Sequence, residues 1–96
     1  ALAQSAEELM RSRYAAYATG ELDYVFTTWH PRTRPDDLAP DLSLTWTGLR
    51  IVDVSESEVE FVASYVRGGV AGQRRERSRF ERRGGRWVYV DGDLLP

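Results

Sequence analysis

The stretch EVEFVASYVRGGVAGQRRERSRFERRGGRWVYVD, residues 58–91, decides the fold. Apolar and polar side chains alternate through Glu58–Val66, Gln73–Arg82 and Arg86–Asp91, the period of strands that bury one face. Between them, Gly68–Gly72 and the doublet Gly84-Gly85 supply the positive φ that tight hairpins need. A further run, Leu44–Val54, joins from upstream through Ser55–Ser57. Connections this short make an antiparallel meander of about four strands the simplest topology.

A slip of one residue would turn every side chain to the other face, so a correct register must bury one face throughout. One register does so. It sets Leu49 and Ile51 beside Phe61 and Ala63, Phe80 with Val59, and Tyr89 beside Phe80, all on one side. Arg50, Glu58, Glu60, Arg75, Arg77 and Arg79 then share the other side with Trp46, Val52, Val62, Val88 and Val90. The same register points Glu76, Ser78 and Asp91 inward, which is anomalous because a buried carboxylate is costly without a partner.

Upstream, the pattern changes to a helical period. Ser5 and Glu8 have capping-box spacing, Leu9, Met10, Tyr14 and Tyr17 recur at helical intervals, and Gly20 offers a left-handed stop, predicting a helix over Ala6–Thr19. Glu21 and Asp23 suit the start of a second helix that carries Leu22, Val25, Phe26 and Trp29 on one stripe. It is expected to reach His30, before Pro31. The reading is a single α+β domain: a helical half over 1–30, a proline- and charge-rich linker over 31–43, and a sheet over 44–93.

Composition narrows the function classes. With 42% hydrophobic and 29% charged residues in 96, the chain is globular and holds one core. No apolar run approaches the roughly 20 residues that cross a bilayer, and the N-terminus lacks a secretion-signal layout, so a cytoplasmic location is the default. Ala1, in place of methionine, is expected of a trimmed chain or one missing its leader, with a naturally short chain as the alternative. Cysteine is absent and histidine occurs once, which removes disulfides, thiol nucleophiles and zinc clusters and leaves no cofactor expected in this chain. All thirteen basic residues are arginine, and Gly72–Arg86 carries seven of them against Glu76 and Glu81 within a chain of net charge −2.

Three longer words are more specific than any of these patterns: LMRSRYAAYATGELDYVFTTWHPRTR (9–34), WTGL (46–49) and RERSRFERRGGRWVYVDGD (75–93). Together, and in this order, they resemble the middle domain of the YchJ family. That resemblance implies an NTF2-like, cystatin-type cone, in which a curved antiparallel sheet wraps around helices and leaves a cavity between them. It also implies flanking SEC-C segments that bind zinc, although this chain contains no cysteine to carry that property over. The family's function is largely unassigned, and fold alone does not supply one.

Candidate chemistry is confined to a few residues. His30, at an expected helix end, suits an acid or base, and it equally suits a cap on the last carbonyls. Glu76 and Asp91 either pair with Arg11 or Arg13 or line a wet pocket, with Arg13, Tyr14, Trp29, Ser78 and Tyr89 as further lining candidates. The leading expectation is a non-catalytic binding or accessory domain for a small ligand or protein partner, acting through the cavity or the sheet face. Its alternative is a lyase, isomerase or hydrolase using His30 with Glu76 or Asp91 as acid and base. A minor alternative is nucleic-acid binding along the arginines of residues 74–79, although Glu58, Glu60 and Glu81 stand ready to balance them. Valines among the charges of the outer face are compatible with a homodimer through the sheet.

Overall fold

The computed structural model describes residues 2–96 as two helices laid on one antiparallel sheet. Helix α1 (Ala6–Thr19) begins where Ser5 Oγ accepts the Glu8 N–H at 3.1 Å. It ends at left-handed Gly20, and the Glu21 N–H turns back to the Ala16 carbonyl at 2.8 Å. Its buried stripe is Ala6, Leu9, Met10, Arg13 and Ala16. Ala6, Leu9 and Met10 pack on Val59, Phe61, Ala63 and Phe80 to form the core.

Helix α2 (Leu22–Thr27) is shorter than its hydrophobic period predicts, and the sheet edge is the cause. The Tyr89 N–H donates to the Thr28 carbonyl and the His30 N–H donates to the Tyr89 carbonyl, each at 2.8 Å. Trp29 is thereby drawn into a parallel bridge beside Tyr89. The strip Thr28–His30 thus extends the sheet instead of the helix. No helix among the described residues is long and apolar enough to cross a membrane.

The strands β1 (Leu44–Val54), β2 (Glu58–Arg67), β3 (Val70–Arg83) and β4 (Arg86–Leu95) lie side by side in chain order. Both glycine doublets hold positive φ, at 57° and 79° in Gly68-Gly69 and 58° and 80° in Gly84-Gly85, the turn whose twist matches its strands. Because these two-residue turns close so tightly, β2 and β3 run closer to the first turn than the alternation alone suggests. β4 likewise continues to Leu95, which pairs with Arg75. The inner face is the expected one, with Leu49 opposite Ala63, Ile51 opposite Phe61 and Phe80 opposite Tyr89. Val59, expected beside Phe80, pairs instead with Ser78, because the tighter turn at Gly68-Gly69 slides β3 along β2 by two residues and so keeps every face.

Three bulges curve the sheet and correct the expected faces. The register jumps at Thr47, at Val52 and at Val90, each an extra residue that inverts the alternation beyond it. Trp46, expected on the outer side, therefore turns inward, edge-on to Tyr14 at 6.1 Å and to Tyr65 at 5.8 Å between ring centres. Asp91, expected inward, turns outward and meets Arg79 Nε at 2.6 Å. Thr33 Oγ1 caps the bulged Val90 carbonyl at 2.6 Å and fixes the start of the linker there.

The outer face is an ionic lattice across all four strands. Arg77 donates to Glu58 on β2 at 2.6 Å and to Asp53 on β1 at 2.9 Å, while Arg79 reaches Asp91 and Asp93 on β4. Arg75 closes the row on Glu60. Glu81, expected to join this balance, lies instead beside His30 and Arg32. Val62, placed between Arg50 and Arg75 by the register, is buried, so the face is more ionic than apolar.

Hydrogen bonds from Arg75 hold Glu60 below the usual carboxylate range, and those from Arg79 do the same for Asp93. A lowered folded pKa contributes stability above the unfolded value of about 4, and that contribution is lost as pH falls through the lowered value. Thermal stability should therefore drop between about pH 5 and pH 2, and an Arg79→Met variant should show a shallower drop. Melting curves across this range test it; parallel curves for the two proteins would remove the lattice from the account.

Candidate functional site

Between α1 and the concave face of the sheet lies a cavity of about 220 Å³. Met10, Arg13, Tyr14 and Tyr17 enter it from α1, and Trp29 enters from the edge strip. The sheet contributes Trp46 and Phe61, then Arg74, Glu76, Ser78 and Phe80 of β3, and Tyr89 of β4. The positions on β3 follow from its alternation, since every second residue from 74 to 80 faces inward while 75, 77 and 79 face out.

Arg13 reaches in from the buried stripe of α1 and is only 5% exposed. Its Nη1 donates to the Val25 carbonyl at 2.8 Å and to Thr28 Oγ1 at 2.7 Å, tying α1 to the end of α2. The guanidinium lies 4.6 Å from the Tyr89 ring centre and 5.1 Å from that of Trp29. Burial lowers its pKa, although the guanidinium stays charged at neutral pH.

Glu76 is 8% exposed, and its Oε2 accepts the Ser78 hydroxyl at 2.6 Å. Its other contacts are long, 3.4 Å from Arg74 Nη2 to Oε1 and 3.4 Å from the Tyr89 hydroxyl to Oε2. The expected pairing with Arg11 or Arg13 is not made: Arg11 bonds Glu7 along the surface of α1, and Arg13 bonds the end of α2. Gly92, opposite Ser78, leaves room for the carboxylate; a Cβ there would stand 2.9 Å from Glu76 Cδ. Burial, and secondarily the Glu76 charge, pushes the Tyr89 phenol well above its ordinary pKa, and burial likewise raises Tyr17. Both phenols remain protonated donors.

Of the sequence candidates, Arg13, Tyr14, Trp29, Glu76, Ser78 and Tyr89 come together around this cavity. His30 and Asp91 do not. His30 Nδ1 accepts the Arg32 N–H at 3.0 Å, Nε2 stands 3.5 Å from Glu81 Oε2, and the His30 carbonyl accepts from Thr33 and Arg34. The histidine thus organises the turn into the linker. Asp91 belongs to the outer lattice, so the acid and base pair drawn from His30 with Glu76 or Asp91 is not assembled. Among the described residues, no three histidine, aspartate or glutamate side chains gather in a way that would hold a metal ion.

Helices laid on a curved sheet in this order recur in known proteins. The family model for the middle, NTF2-like domain of YchJ matches residues 5–92. The chain belongs to the YchJ family. A UPF0225 protein of Streptomyces coelicolor is 50% identical over 102 aligned residues, which cover 99% of this chain and 79% of that protein. A UPF0225 protein of Deinococcus radiodurans is 52% identical over 92, covering 93% and 69%. The solution structure of a SEC-C motif containing protein from Rhodopseudomonas palustris superposes with a TM-score of 0.84 at 36% identity, over 100% of this chain and 83% of that one. The NTF2-like α+β fold of this YchJ domain is thereby established.

The cavity of the YchJ domain also holds residues that the sequence candidates omitted. Arg74 has the same parity as Glu76 on β3, and Met10 stands one position after Leu9 on the α1 stripe, so alternation and helical period were signals enough for both. Trp87, an aromatic with a core-like setting, is not among the lining residues and instead lies under Arg82, 5.6 Å from its ring centre.

Proposed function

We propose that this YchJ domain is a binding module that holds a small, largely apolar molecule between α1 and the inner face of the sheet and performs no chemistry on it. The observation that carries the reading is the cavity itself: seven aromatic rings wall it, and Arg13, Arg74, Glu76 and Ser78 converge on it as its polar groups. Apolar walls with few convergent polar groups are the usual build of a ligand site, and this volume lies below the ~300–1,000 Å³ of larger ligand pockets. A one-ring molecule fits that size.

Supporting binding without turnover, the side chains suited to proton transfer are dispersed. His30 stands at the linker turn, Asp91 on the outer face and Glu76 in the cavity, where the neighbouring phenols hold their protons. The arginine row offers little to nucleic acid, because Arg75, Arg77 and Arg79 are each engaged by carboxylates. Native mass spectrometry of the domain, incubated with a mixture of one-ring fragments, should recover noncovalent complexes whose ligands are released unchanged. Failure of every fragment at millimolar concentration, or release of a converted product, would refute the proposal.

A further inference from the structure

The cavity's electrostatics specify its occupant further, an assignment that rests on the binding function proposed for the same site. Arg13 is a buried cation without a counter-ion: among the described residues no carboxylate lies within ion-pair distance of it. Both hydrogens of its Nη1 are used, on neutral acceptors, and Nη2 and Nε close no hydrogen bond of ordinary length among the described residues, the neutral Tyr17 phenol standing near the guanidinium. Those two nitrogens are not sealed away. The side-chain polar atoms that are both buried and unpartnered are Trp29 Nε1, Glu81 Oε2 and Trp87 Nε1. The free edge of the Arg13 guanidinium is therefore open to the cavity it lines.

The charge balance points the same way. Two arginines, Arg13 and Arg74, face one carboxylate, Glu76, and the only other ionisable groups in the wall are tyrosines. Burial of Tyr17 and Tyr89 keeps their phenols neutral, so the site carries an excess positive charge in low-dielectric surroundings. A buried charge is costly until it is paired and hydrogen-bonded. Guanidinium presents parallel N–H groups that match the two oxygens of a carboxylate.

We infer that the cavity is a site for a small one-ring organic carboxylate, its two oxygens received by Nη2 and Nε of Arg13 and its ring lodged among Tyr14, Trp46, Phe61 and Phe80. The apolar wall selects against a bare inorganic anion, which would leave those rings without a partner. Glu76 opposes the ligand's charge and is engaged by Ser78 at 2.6 Å and by Arg74, so it sets the site to favour an acid that carries only a single negative charge.

Three probes of similar size and one bare anion separate the alternatives by titration calorimetry on the intact domain: benzoate, the uncharged benzamide and the cationic benzylamine, with inorganic phosphate as the anion. Benzoate should bind about tenfold or more tightly than benzamide, because a charge-assisted pair replaces a neutral one. Benzylamine and phosphate should give no measurable heat of binding. Arg13→Met should abolish the preference for benzoate over benzamide. If that variant does not fold, the comparison among probes on the unmodified protein decides. Equal or tighter binding of benzamide or benzylamine overturns the carboxylate assignment while leaving the binding reading intact, and tighter binding of phosphate overturns it also. Silence from all four probes, while the fragment mixture yields complexes, overturns the carboxylate assignment alone; failure of the mixture as well removes both.

Discussion

Replacing Phe80 with alanine should cost the domain about 3–5 kcal/mol, the largest loss expected of any single side chain here. Phe80 is 5% exposed on β3, belongs to the core that α1 covers, and meets Tyr89 edge-on at 5.7 Å between ring centres and 69° between planes. Its backbone N–H is also fixed, to the Ser57 carbonyl at 2.8 Å, so the strand cannot shift to fill the space left behind. The vacated volume adjoins the existing cavity, and the Val90 bulge beside it already uses the local freedom of β4. Urea denaturation should show the loss directly, and thermal melting should show the midpoint fall by more than about 10 °C. A loss below about 1 kcal/mol would mean that the inner face is not packed as described.

The second large effect is expected at Arg13, where Arg13→Ala should destabilise by about 2–3 kcal/mol. Two hydrogen bonds contribute roughly 1 kcal/mol each, and stacking on Trp29 and Tyr89 adds about 0.5–2 kcal/mol, offset in part because the buried charge no longer has to be desolvated. The structural consequence is local. Arg13 holds Val25 and Thr28, and Thr28 begins the strip that bonds Tyr89 at the sheet edge, so loss of the guanidinium loosens that strip before the rest of the domain. Hydrogen exchange should quicken at the amides of His30 and Tyr89, while the amides of Phe61 and Val62 on β2 keep their protection. Unchanged protection at His30 and Tyr89 would show that Arg13 does not carry the connection.

These two residues also mark how much the sequence disclosed. The bounds of α1 were legible because both ends carry their own chemical stops, Ser5 and Gly20. The inner face around Phe61, Phe80 and Tyr89 was legible because one alternation turns all three the same way. The pairing of β2 with β3 was not, because the first hairpin closes at Gly68-Gly69 instead of spanning residues 68–72. Legibility ended at the bulges. Thr47 and Val90 are ordinary strand residues with nothing in their type to announce an extra position, yet each inverts the faces of the residues beyond it, sending Trp46 in and Asp91 out. The stripe ending at Trp29 was legible as apolar and misleading as helix, because a residue buried by a sheet edge and one buried by a helix face look alike in a short period.

The candidate site divided along the same line. Glu76 and Ser78 share β3 with Phe80, and no extra residue interrupts that strand between them, so simple alternation placed both correctly in the wall with Arg13. His30 was selected by residue type, and type says nothing about where its ring points. In the fold its Nδ1 is committed to the Arg32 amide and its Nε2 faces Glu81, outside the cavity. The outer arginines looked like a basic strip because their partners Asp53, Glu58, Glu60, Asp91 and Asp93 come from three other strands, and only the sheet brings them across.

Whether the space between α1 and the sheet receives a ligand is tested most directly by the indole resonances of the three tryptophans during titration with benzoate. Trp29 and Trp46 line the cavity and Trp87 does not, so the molecule carries its own control. The Trp29 and Trp46 signals should move together along one saturating curve while Trp87 stays in place. Movement of Trp87 alone, or no saturable shift at Trp29 and Trp46, would contradict the account.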